Sequence, residues 1–346
     1  MDWITETCAA SDEAAGAAAA SRQARLTKPP GALGRLEEIA LRFAAWQGRE
    51  RPEIGPVRIC IFASDHGIAE AGVSLFPQAV TAEMVRNFAG GGAAISVLAR
   101  EIGADLEVVN LGTVSEVEPL RSVLDERIAP GTLNFAREEA MSRSALSAAL
   151  ASGRRAASRA EGYSLFIGGE MGIANTTSAS AIACALLDAD PERLAGPGTG
   201  LDMAGVAHKA AVIGEALRRH ETSLSDPLEI LRILGGFEIA ALAGAYIACA
   251  QKGIPVLVDG FISSVSALVA SRINPGSKRW MFFAHASAEP GHRLVMAALD
   301  AEPLVDFGMR LGEGSGAACA VPIIRLACAL HGGMATFAEA GVSEQA

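Results

Sequence analysis

Short apolar runs recur along this chain at Val57–Ala63, Leu106–Gly112, Tyr163–Ile167, Pro255–Phe261, Trp280–Ala284 and Leu304–Phe307. They lack the polar alternation of a strand with one wet face, so they suit strands buried on both sides, as in a parallel sheet covered by helices. Between them lie helix-like stretches at residues 3–25, 33–47, 93–102, 142–161, 238–251 and 317–340, with a short apolar run at 230–234. A further helix opens within Phe76–Thr81, with Thr81 as its N-cap, and another carries His208 and Lys209. Residues 116–136, with Pro119, Pro130 and Gly131, read as irregular. Strands alternating with helices predict an α/β fold built on a parallel sheet with both faces covered.

The apolar runs end in polar and glycine-rich clusters. These are Ser64-Asp65-His66-Gly67, the segment Gly168–Thr177, and His285–His292; Asp306–Ala317 follows the last run. In open parallel sheets ligands bind beyond the carboxyl ends of the strands, so these clusters should meet at one edge and form one site. Each cluster alone supports two readings. Glu313, flanked by Gly312 and Gly314, suits a general base on a turn that admits a flat ligand, or a carboxylate favouring the start of the next helix. Gly168–Thr177 can cradle an anion at a helix N-terminus or form a tight turn; it is neither a Walker A loop nor GxGxxG. Lys209 can offer a point charge to a phosphate or stay solvated. Glu238 reads as a carboxylate suited to the start of its own helix, and His66 as structural or ligand-lining. Convergence of the clusters favours Glu313 as a base.

Bulk properties narrow the partners. The chain has 346 residues and a formal charge of −10, which repels a nucleic-acid backbone. None of its six cysteines sits in a CxxC pair or at zinc-like spacing with histidine, so buried thiols in a reducing compartment are expected. The acidic N-terminal residues do not suit a signal peptide, and the apolar run Ile239–Ala250 is shorter than the roughly 20 residues that span a bilayer. A cytoplasmic protein with no membrane partner is expected.

Several separated motifs together resemble the nicotinate-nucleotide:dimethylbenzimidazole phosphoribosyltransferase family. They are Lys28-Pro29-Pro30-Gly31-Ala32-Leu33-Gly34, Ser64-Asp65-His66-Gly67, Pro77-Gln78-Ala79-Val80-Thr81, the segment Gly168–Thr177, Gly198-Thr199-Gly200-Leu201-Asp202, Asp259-Gly260-Phe261, His285–His292 and Leu311–Ala317. The chain departs from the family pattern at Ala174, where glycine is usual, and at Ser315, where threonine is common; neither change removes a reactive group.

The resemblance implies a Rossmann-like, doubly wound, mostly parallel sheet in a large domain, residues 28–316. It also implies a small helical domain made of residues 1–27 and 317–346, and a homodimer without metal or cofactor. The implied reaction joins nicotinate mononucleotide to 5,6-dimethylbenzimidazole, giving α-ribazole 5′-phosphate and nicotinate. Glu313 is then the general base, with Glu170 second. Ser64, Gln78 and Leu311 line the base pocket. Gly169, Glu170, Gly172, Asn175 and Lys209 meet the nucleotide, and Ser287 its phosphate. The chemistry is consistent with one reactive carboxylate. Nicotinate leaves a pyridinium nitrogen with its ring neutralised and needs no general acid. The attacking benzimidazole gains positive charge, which makes its other N–H acidic and gives a carboxylate something to do. Two other readings are a related transferase using a purine or a phenol, and a non-catalytic nucleotide-binding protein, against which the intact Glu313 argues.

Overall fold

The structure is a computed structural model describing residues 1–224 and 226–343. Seven strands form one sheet: β1 (Val57–Ser64), β2 (Asp105–Gly112), β3 (Val123–Asp125), β4 (Leu165–Met171), β5 (Val256–Val258), β6 (Met281–His285) and β7 (Pro303–Val305). Their order is β3-β2-β1-β4-β5-β6-β7 and every pairing is parallel. The chain winds outward from β1 through β2 and β3, then reverses to β4 on the other side. In sheets wound this way ligands bind beyond the carboxyl ends of the strands near such a reversal.

Side chains alternate across each strand, so one sheet feeds two cores. Cys60, Phe62, Val109 and Phe166 pack under helices Arg143–Arg159, Phe237–Lys252 and Phe261–Ile273. Ile59, Ile61, Ile167 and Phe282 pack under helices Arg35–Gln47, Ala79–Gly90, Ala94–Ile102 and Ser315–Gly333. This last helix is long and apolar enough to cross a membrane by length and composition. Here Val321, Ile324, Ala327 and Cys328 put it in the second core, against the sheet. The chain ends meet: Arg22 Nε donates to His331 O at 3.0 Å, and Leu26 bridges Thr336 in antiparallel fashion.

Several elements differ from the sequence reading. Residues 3–25 split into a short 3₁₀ turn, Asp2–Thr5, and a helix, Glu13–Arg25, capped by Asp12. Thr81 is not an N-cap; the helix has begun by Ala79, and Thr81 Oγ1 donates to Asp65 Oδ1 at 2.6 Å. β3 lies inside the stretch read as irregular. Gly168 and Gly169 belong to β4, paired with Cys60 and Ile61, not to a turn. Helix Phe261–Ile273 is buried on nearly every side and so shows no amphipathic period.

Helices Arg143–Arg159 and Phe237–Lys252 touch backbone to backbone. A Cβ on Gly153 would overlap Ala241 O, and one on Gly244 would overlap Leu150 O. Gly153→Ala is therefore expected to destabilise the fold by about 1–3 kcal/mol or more, because neither backbone can yield. Gly332→Ala, which meets nothing within 4 Å, should be neutral or slightly stabilising. Paired denaturant melts check both; equal midpoints for the two variants would refute this packing.

Candidate active site

A cleft of about 660 Å³ opens at the carboxyl ends of β4, β5 and β6. Val80, Met84, Ile173 and Phe261 make its apolar wall, while Glu170, Glu289, Arg310 and Glu313 bring charge.

Asp259 organises the cleft. It follows β5, is 1% exposed, and accepts from two N–H groups at the start of helix Ser315–Gly333: Gly314 N at 3.2 Å and Ala317 N at 2.8 Å. A carboxylate on a helix N-terminus satisfies amides that have no partner within the helix. It also fixes the turn before the helix, in which Glu313 has φ 63° and Gly314 φ 80°. A non-glycine residue with positive φ needs such support from its surroundings. So held, Glu313 is 6% exposed and lines the cleft, its Oε2 facing the Ile95 N–H at 3.4 Å. Burial raises its pKa above the ordinary glutamate value and Asp259 adds to the rise, while the Ile95 N–H opposes it.

Glu170, the penultimate residue of β4, lies beside the Gly312–Glu313 loop. Its Oε2 accepts from Asn175 Nδ2. Burial and then the nearby carboxylates Glu238, Asp259 and Glu313 push its pKa well up, while Asn175 opposes. Pairs of carboxyl groups with unlike surroundings can divide proton-donating and proton-accepting roles.

Of the residues singled out from sequence, Glu313, Glu170, Leu311, Gly172, Asn175 and Ser287 line the cleft. Leu311 stands at its mouth, 57% exposed. The Ser287 N–H donates to His292 Nδ1 at 3.0 Å, which fixes the turn that presents the serine. Burial lowers His292 to about 4, so it stays neutral and can accept that bond.

Ser64, Gln78, Gly169 and Lys209 are not among the lining residues. Ser64 Oγ donates to Glu238 Oε2, Glu238 Oε1 meets His66 Nε2 at 2.7 Å, and His66 Nδ1 meets Ser178 Oγ at 2.8 Å. This chain is fully buried, or nearly so, and braces the residues after β1. Gln78 Nε2 donates to His66 O at 2.9 Å. Gly169 lies in β4 against the Glu313 carbonyl, where a Cβ would crowd it. Lys209 is buried; its Nζ donates to Thr176 Oγ1 at 2.8 Å and to Gly196 O at 3.2 Å, and Thr176 lines the cleft. Burial brings its pKa down to about 8.

Sequence reasoning did not weigh Asp259, Glu289 or Arg310 singly. Arg310 sits in the Glu313 loop, and its Nη1 donates to Gly198 O at 2.6 Å, tying that loop to the 196–200 turn. A lone arginine beside a catalytic-type glutamate was the available signal. Asp259 and Glu289 entered only as members of the motifs Asp259-Gly260-Phe261 and His285–His292, with no role of their own.

Comparison with known proteins points one way. A family model described as a phosphoribosyltransferase matches residues 8–342. The chain is 60% identical, over 100% of its length and 99% of the relative's, to the nicotinate-nucleotide–dimethylbenzimidazole phosphoribosyltransferase of Pseudomonas aeruginosa. It is also 60% identical to the protein of that name from Azotobacter vinelandii, over 99% of this chain and 98% of the relative. The crystal structure of CobT from Thermus thermophilus superposes with a TM-score of 0.92 at 43% identity, covering 96% of this chain and 100% of that one.

Proposed function

Because the chain belongs to the nicotinate-nucleotide–dimethylbenzimidazole phosphoribosyltransferase family, a family of enzymes, we propose that it transfers phosphoribose from nicotinate mononucleotide to 5,6-dimethylbenzimidazole, releasing nicotinate and forming α-ribazole 5′-phosphate. The observation that carries this reading is Glu313, a buried carboxylate with an elevated pKa, lining a cleft with an apolar wall. A benzimidazole lies against Val80, Met84 and Phe261, beneath Leu311, with its N–H toward Glu313. Ser64 and Gln78 act from behind the wall, through Glu238 and the His66 carbonyl.

Direct attack of the free ring nitrogen on the anomeric carbon breaks the bond to nicotinate and inverts the β configuration to α. The electron pair of the broken bond neutralises the departing pyridinium. As the attacking ring becomes cationic, Glu313 takes the proton from its other nitrogen, worth about 10²–10⁴-fold. Glu170, next to the Gly312–Glu313 loop, orients the nucleotide with Gly172 and Asn175, while Gly169 acts from behind by seating the Glu313 backbone. Ser287 and the start of helix Asn175–Leu187 receive the phosphate, with Lys209 supplying charge through Thr176. We further propose a cytoplasmic homodimer that acts on small molecules. In this proposal residues 28–316 carry the site, and residues 1–27 and 317–346, of which 344–346 lie outside the described residues, form a discontinuous helical unit joined through Arg22.

The direct test is nicotinate release on mixing nicotinate mononucleotide with dimethylbenzimidazole, with purines and phenols as competitors. Release that requires an added aromatic base, with dimethylbenzimidazole preferred, supports the reading; no release refutes it. The lysine makes a second prediction. With a pKa near 8, Lys209 is charged below that pH and loses its proton above it in the free protein. A bound phosphate favours the charged form, so the KM for the nucleotide should rise as pH climbs past about 8, while the KM for the aromatic base stays level. A nucleotide KM flat to pH 10 would remove Lys209 from phosphate binding.

A further inference from the structure

Glu289 lines the cleft between the Ser287 turn and the 196–200 loop, 5% exposed, and neither carboxylate oxygen has a hydrogen-bond partner. The cations near it are committed elsewhere. Lys209 donates to Thr176 and to Gly196 O, and Arg310 donates to Gly198 O. Burial raises the pKa of this carboxyl group, while Lys209, Arg310 and the Gly198 N–H oppose the rise. Gly196 lets the carboxylate press against the loop, since a Cβ there would collide with Oε2. A buried carboxyl group with both acceptors idle is costly unless something supplies donors.

Resting on the proposed reading, we infer that Glu289 selects the sugar: its two oxygens accept the hydroxyl hydrogens of the ribose 2′,3′-diol. Each substrate part can be matched to its complement by donor count. A phosphate dianion offers only acceptors and would be repelled by a carboxylate. The nicotinate carboxylate is excluded for the same reason. The benzimidazole has a single N–H, and Glu313 takes it. The vicinal diol alone brings two adjacent donors, matched to two adjacent oxygens. Lys209 and Arg310, close by but held on the loop, leave the carboxylate free for the sugar while offsetting its charge. Glu289 is thus a specificity-determining residue that stands apart from the proton transfer.

The test compares nicotinate mononucleotide with its 2′-deoxy and 3′-deoxy analogues in the wild type, Glu289→Gln and Glu289→Ala, at saturating dimethylbenzimidazole, with calorimetric binding of each nucleotide alongside. Removing a hydroxyl changes intrinsic reactivity, so the ribo-to-deoxy ratio is read across variants and not within one. The expected result is a wild-type preference for the ribonucleotide of at least about 10²-fold in kcat/KM, falling to within about threefold in both variants. The nucleotide KM rises at least about tenfold in the variants, and the dimethylbenzimidazole KM moves by less than about twofold. Calorimetry reproduces the collapse independently of turnover, and unchanged melting midpoints certify the fold. A preference that survives both substitutions, or a wild type indifferent to the hydroxyls, overturns the assignment to Glu289 and leaves the proposed reaction standing. A wild type that neither binds nor consumes the ribonucleotide overturns both.

Discussion

Glu313→Gln should lower kcat by at least about 10²-fold while keeping nucleotide binding within a few-fold of wild type. The amide has nearly the same volume and still meets the Ile95 N–H, but it cannot take a proton. Loss of kcat without loss of binding is the signature of an interaction made only in the transition state. The pH profile should carry the same information. The Glu313 pKa is raised by burial and by Asp259, and the base works only when ionised. Activity should therefore fall as pH drops through a value above the ordinary glutamate range, and that acid limb should be absent in Glu313→Gln. Unchanged turnover in the variant would remove Glu313 from the mechanism.

Asp259→Ala should be the next most damaging change, although Asp259 transfers no proton. Its two oxygens hold Gly314 N and Ala317 N, and both amides would be left buried without acceptors. Each orphaned group costs about 1–3 kcal/mol. The turn that places Glu313 at positive φ would lose its anchor, and a displacement of about 1 Å at a reacting group can cost 10²-fold. We expect lower stability in denaturant melts and a fall in kcat of about 10–10²-fold, with nucleotide KM little changed. Asp259→Asn should lie between, because one of its atoms turns a donor toward a donor. A variant with reduced stability but full kcat would show that the turn holds itself.

Much of this was legible in the sequence because burial on both faces leaves continuous apolar runs. β1, β2, β5 and β6 announced themselves in that way, and the glycine clusters marked the carboxyl edge where the cleft lies. What stayed hidden has physical causes. β3 is three residues at the sheet edge, partly exposed and paired only to β2, so it carries no buried run. Gly168 and Gly169 look like a turn from composition, yet they continue β4 where Leu242 and Tyr246 leave no room for a Cβ on Gly168. Asp259 reaches amides 55 and 58 residues away, and Ser64 reaches Glu238 across 174. Contacts at such separations leave no trace in local spacing. Glu238, read as a carboxylate suited to its helix, proves to be the centre of the buried Ser64–His66 network.

The stereochemistry of the product tests the central claim most directly. Proton NMR of the ribotide formed from nicotinate mononucleotide and dimethylbenzimidazole reports the configuration at the anomeric carbon. One displacement at that carbon, with Glu313 receiving the ring proton, predicts the α anomer in amounts matching the nicotinate released. A β-configured product would require two successive displacements and a covalent sugar intermediate, which contradicts the account.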